Sequence, residues 1–123
     1  MVLRRDNISG MLDRCSQYHS ASVRYAVASA PHLLPATQIA LALDLDPLVR
    51  EALAGNIYLA RERFEELGVL DLLAQDECEE VRLAVALNPS AATSTVLGLQ
   101  NDRSPRVAAA AGLHPAALAV SLN

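Results

Sequence analysis

The stretch Val81-Arg82-Leu83-Ala84-Val85-Ala86-Leu87-Asn88-Pro89 decides the fold, because three imperfect copies of it begin at Val23, Val49 and Val107. Each copy opens on an aliphatic residue and carries small residues at its fourth and sixth places, as in Ala26 and Ala28, Ala52 and Ala54, or Ala110 and Gly112. Each closes on a turn: Ala30-Pro31, Asn56-Ile57, Asn88-Pro89 and His114-Pro115. The intervals from Val23 to Val49, Val49 to Val81 and Val81 to Val107 are 26, 32 and 26 residues, so the period is 26 with six extra residues in one unit. A fixed period of this size marks a stacked repeat architecture. Other residues keep the same register: Asp44, Asp76 and Asp102 each fall five places before a motif valine, and Leu41, Leu73 and Leu99 eight before.

Working outward, Ile8, Met11, Leu12, Cys15 and Tyr18 recur at steps of three and four, which predicts a helix over 7–18 with one apolar stripe. Ser20 or Ser22 can cap the first motif helix, expected over 22–30 and stopped by Pro31. Pro35 and Thr37 open a second segment over 35–43. The joint Asp44-Leu45-Asp46-Pro47, matched by Asp102-Arg103-Ser104-Pro105, puts a cap and a first-turn proline before the motif helices expected over 47–55 and 105–113. Further helices are expected over 58–75 with a break near Gly68, over 78–87 and over 92–100, before a truncated last helix from Pro115. The expectation is all-α: a short right-handed α-solenoid of about four helical pairs, each unit burying its core by stacking on its neighbours. It is read as one domain, 1–123, with a capping helix over 7–18 and repeats at about 20–45, 46–77, 78–103 and 104–123. Small residues at the fourth and sixth motif places would let adjacent helices approach closely.

The run from Asp76 to Pro89, with Val81-Arg82, Ala84-Val85-Ala86 and Asn88-Pro89, resembles the leucine-rich repeat variant pattern and, more distantly, HEAT repeats. The resemblance covers most of the chain. It implies a binding scaffold or accessory protein. Some members of the leucine-rich repeat variant family carry an iron–sulfur module held by four cysteines, whereas this chain has Cys15 and Cys78 alone. Its units are also longer than the family's, which points to a full α-helix for each second segment.

Composition narrows function by exclusion. Fourteen acidic residues against ten arginines give a net charge of −4, which offers no general attraction for phosphate backbones, so nucleic acid is not an expected partner. Two cysteines make no disulfide framework, and residues 1–7 lack the apolar run of a secretory signal, which together suggest a cytoplasmic protein. The alanine-rich run over 107–122 is broken by His114-Pro115 and is too short to span a bilayer, so no membrane is expected. There is no Ser/His/Asp set, phosphate loop or supported carboxylate pair, and the reading is of a non-enzyme without cofactor or metal.

Three features invite weighing. Arg24, Arg50 and Arg82 share one motif place and would form a ladder; pairing with Asp44, Asp76 and Asp102 is favoured over an acidic ligand, and Ala108 in the last copy suits a position where the stack ends. Cys15 and His19, four apart, could hold a metal on a helix, but two ligands make a weak site and Cys15 occupies a leucine place of other units, so it reads as packed. His32 and His114 read as surface turn residues. The third feature is charge: Glu62, Glu65, Glu66, Asp71, Asp76, Glu77, Glu79 and Glu80 crowd one segment. This segment, with Tyr58, Arg61 and Phe64 beside it, could project an acidic face for a basic protein partner. The expected function is therefore a protein-interaction module, with Tyr58, Arg61, Glu62, Phe64, Glu65, Glu66, Glu79 and Glu80 as partner-binding residues. The alternative is a HEAT-like accessory or catalytic protein of the DNA-glycosylase or bilin-lyase kind, which would want a basic, aromatic concave face. Because 107–122 carries no Asp, Glu, Lys or Arg, a homodimer through the C-terminal unit is also expected.

Overall fold

A computed structural model describes residues 5–59 and 68–122. All regular structure among them is helical: α1 Arg5–Cys15, α2 Ala21–Ala28, α3 Pro35–Ala42, α4 Pro47–Ala54, α5 Val69–Leu73, α6 Glu79–Leu87, α7 Thr93–Leu99, α8 Pro105–Gly112 and α9 Pro115–Ser121. The second segments are α-helices, as unit length implied. No helix of the described residues is long and apolar enough to cross a membrane.

The motif helices α2, α4, α6 and α8 pack each on the next to form one layer. The second helices lie behind them, with α3 against α4 and α5, and α9 against α7 and α8. The motif's first and fifth residues face this junction: Val49, Val81, Val107, Leu53, Val85 and Ala111 are completely buried. Leu41, Leu73 and Leu99 supply the matching surface from the second helices. Burying each large aliphatic side chain contributes about 1.5–3 kcal/mol, so the repeat register is itself the hydrophobic code.

Local chemistry sets the ends. Asp46 and Ser104 cap α4 and α8, accepting from the N–H of Leu48 and Val107, with Pro47 and Pro105 in the first turn. Ser20 precedes α2 but makes no side-chain cap bond. The first helix ends at Cys15, three residues short of the expectation, where the Ser16 hydroxyl turns back to donate to the Asp13 carbonyl at 2.6 Å. No helix starts at Tyr58, because the Asn56 carboxamide accepts the Tyr58 N–H and holds a turn; α5 begins only after Gly68. The expected helix over 58–75 is thus reduced at both described ends. Residues 60–67, including Arg61, Glu62, Phe64, Glu65 and Glu66, lie outside the described residues.

The small motif residues divide into two roles. Ala28, Ala54 and Ala86, at the sixth place, are buried between stacked helices, as expected. The fourth place differs: Ala52, Ala84 and Ala110 are half-buried and Ala26 is exposed, so these alanines line an outer face instead of a closed helix contact.

Candidate functional site

Two polar ladders brace the motif layer along its opposite edges. On the N-terminal edge Arg24 Nε donates to Asp44 Oδ2 at 2.7 Å, Arg50 to Asp76 at 2.8 Å and Arg82 to Asp102 at 2.9 Å, with the second nitrogen Nη2 completing a bidentate fork in each. Nη1 of Arg50 and Arg82 reaches the carbonyls of Asp44 and Asp76, and Nη1 of Arg24 those of Tyr18 and His19. Each aspartate also accepts the N–H two residues on, from Asp46, Cys78 and Ser104. Burial works to raise the Asp44 and Asp102 carboxyls; the arginine forks and backbone donors overcome it and hold both below the usual carboxylate range. The arginines are therefore structural, and their guanidinium groups are occupied within the chain.

On the C-terminal edge the eighth motif residue performs the bracing. The Asn56 amide nitrogen donates to the carbonyls of Ala28 and Ala30, and that of Asn88 to those of Ala54 and Asn56, all within 2.9 Å. His114 takes the same place in the last unit, where Nδ1 accepts from the Ala116 N–H and Nε2 bonds the Asn88 carbonyl. Its expected surface setting is corrected: His114 is 5% exposed and caps α9. Sequence reading treated these residues as turn formers; the signal that could have revealed the ladder was the run Asn56, Asn88, His114 at one register. A third set was missed as well, in which Thr37 on α3 donates to Asp13 on α1 and Thr95 on α7 donates to Asp71 on α5.

His32 is exposed, as expected, with a positive φ of 64°, and the Ser9 hydroxyl bonds its carbonyl. Cys15 packs against the core, while His19 lies beyond the end of α1, so the helical spacing a shared metal would need is not realised.

Of the candidate partner-binding residues that are described, Tyr58 is exposed in the turn after α4, and Glu79 and Glu80 occupy the first turn of α6. The Ser90 hydroxyl binds the Ile57 carbonyl, which puts Tyr58 beside the C-terminal end of α6 and away from its two glutamates. The nine-residue α6 is about 13 Å long, and that length separates them. Glu79 accepts from Ser104, and Glu80 pairs with Arg106 at 3.0 Å. Asp76 is forked to Arg50, and Asp71 accepts the Thr95 hydroxyl through one of its oxygens. The acidic cluster is thus partly internal bonding.

Between these ends runs a trough of about 370 Å³ across α2, α4 and α6. Ala52, Gly55 and Ala84 are among its floor residues, and Tyr25, Ile57 and Leu87, each about half exposed or more, flank it. Glu51 is its charged lining residue, with no ion-pair partner among the described residues.

No family model, curated protein or solved structure matches the chain.

Proposed function

We propose that the chain is a non-enzymatic protein-interaction module of the helical-repeat type, holding a basic, partly apolar segment of a partner protein across its motif layer. The observation that carries this reading is the trough over α2, α4 and α6: an open groove of mixed polarity, flanked by Tyr25, Ile57 and Leu87, whose one charged lining residue is Glu51. Tyr58 at one end and Glu80 at the other extend the same chemistry, aromatic at the Asn88 edge and acidic at the first turn of α6. A segment with apolar side chains toward Ile57, Tyr58 and Leu87 and basic ones toward Glu51 and Glu80 complements it.

The test is a photo-crosslinking residue placed at Leu87 in the full chain, with capture from native cells and with Glu51→Arg and Tyr58→Ala variants beside it. Crosslinking to one partner that is lost in both variants, at unchanged melting temperature, supports the reading. Equal crosslinking by folded variants sinks it.

A further inference from the structure

The junction between α5 and α7 holds a cleft of about 510 Å³ on the side of the molecule formed by the second helices. That volume lies within the range of small-molecule sites. Its lining is unlike the trough's. Asp71, Gln75, Ser94, Asn101 and Arg103 supply polar and charged lining, and Gly98 and Leu99 are among its apolar residues. The Arg82–Asp102 pair closes the interior as a neutral unit.

The repeat supplies its own comparison. Nine places before the motif valine stand Ala40, Leu72 and Gly98 in successive units; four places before stand Leu45, Glu77 and Arg103. At six places the residues are Leu43, Gln75 and Asn101. Asp71 with Thr95 repeats the Asp13–Thr37 pair and belongs to the stacking chemistry. Gly98, Asn101 and Arg103 do not repeat. Glycine inside a helix costs stability relative to alanine, and a Cβ at Gly98 would meet nothing within 4 Å, so neither backbone nor packing requires it. Leu72 in the equivalent place shows that the helix accepts a large side chain there. What glycine does at 98 is leave the cleft open. Arg103 is exposed, and no carboxylate salt-bridges it among the described residues.

We infer that this cleft binds a small zwitterion of the free α-amino-acid class. With Arg82 and Asp102 neutralising each other, the remaining charges are the Asp71 carboxylate and the Arg103 guanidinium, one of each sign. Arg103 takes the carboxylate through paired N–H donors, and Asp71, which uses Oδ1 for Thr95, takes the ammonium. Gln75, Asn101 and Ser94 offer amide and hydroxyl bonds to a polar side chain. The site is separate from the trough and stands or falls independently of the proposed protein interaction.

The experiment is a titration of the isotopically labelled full chain with each free L-amino acid, and with its N-acetyl and carboxamide forms, followed by amide resonances. At least one free amino acid should give saturable shifts centred on Ser94, Gly98, Asn101 and Arg103. Removing either ligand charge should weaken binding by about tenfold or more, since each removes a charge-assisted pair. Gly98→Leu should abolish the shifts by filling the cleft, and Arg103→Gln, a surface change that leaves the fold in place, should match the loss seen with the carboxamide. Absence of saturable shifts at millimolar amino acid, equal binding of the blocked forms, or full binding by Gly98→Leu each overturns the assignment.

Discussion

Nε2 of His114 lies 2.8 Å from the carbonyl oxygen of Asn88, the bond an asparagine amide makes at the same place in the two preceding units. Because Nδ1 accepts the Ala116 N–H, the proton sits on Nε2 and the ring acts as a longer carboxamide. His114→Asn should therefore keep most of the stability, whereas His114→Ala should lose about 1–3 kcal/mol by leaving buried backbone groups unpaired. Urea unfolding of the two variants measures the difference, and equal losses would deny the ladder its role.

The two small motif places make opposite predictions. Ala86→Leu overpacks a closed helix contact and should cost about 1–3 kcal/mol. Ala84→Leu points into the trough, so it should cost less than Ala86→Leu and instead weaken partner crosslinking. Thermal melts that rank the two the other way would reassign the faces.

Asp44 and Asp102 link stability to acid. Both carboxyls sit below their ordinary value of 3.8 in the folded chain, so as pH falls the unfolded chain takes up protons first. Their contribution is complete above that value and is lost as pH drops through it toward the lower folded values. Melting temperature should hold from neutrality to about pH 5 and then decline. Asp102→Asn should flatten the decline while lowering the plateau.

Arg82 and Arg106 separate a built-in ion pair from a surface one. Arg82, 4% exposed, is forked to Asp102, and Arg82→Met should destabilise by about 3 kcal/mol because a buried carboxylate is left alone. Arg106 is open to solvent beside Glu79 and Glu80, and Arg106→Met should leave the melting temperature within error. Chemical denaturation of the pair checks the contrast.

The C-terminal unit leaves Leu113, Leu118, Val120 and Leu122 exposed, although α9 buries Ala117 against its neighbours. No charged side chain in 107–122 would repel its own copy across a two-fold axis, so self-association through this face is the expected outcome. Light scattering at micromolar concentration should give the mass of two chains for the native protein and of one for Leu118→Glu. A single-chain mass for both refutes the dimer.

Much of this fold was legible because hydrophobic register and helix punctuation are local. Val49, Val81 and Val107 named the buried seam, and Pro47, Pro105 and Pro115 marked helix starts without reference to distant parts of the chain. The Arg–Asp pairing was legible for a related reason: both partners keep a fixed place relative to a motif valine, Arg24, Arg50 and Arg82 one residue after it and Asp44, Asp76 and Asp102 five before the next. The roles of Ala84, Asn88 and His114 were not legible. Whether a small residue floors a groove or closes a contact depends on the crossing of neighbouring helices, and a turn former and a cross-unit donor look alike in one dimension. The acidic run was over-read, since Asp71, Asp76 and Glu79 count as surface charge until their partners Thr95, Arg50 and Ser104 are located.

The two edge ladders point in opposite senses. Every arginine fork reaches onward to the aspartate in the joint before the next motif helix, from Arg24 to Asp44 and from Arg82 to Asp102, while Asn56 and Asn88 reach back to carbonyls of the unit before. A unit copied whole therefore brings with it a grip for each side, and splicing a duplicate in register would rebuild both seams without any compensating change. The stack can lengthen by tandem duplication of whole units, head to tail. Ala30 and Ala108, which carry no grip, are the places where that growth has no handle to use.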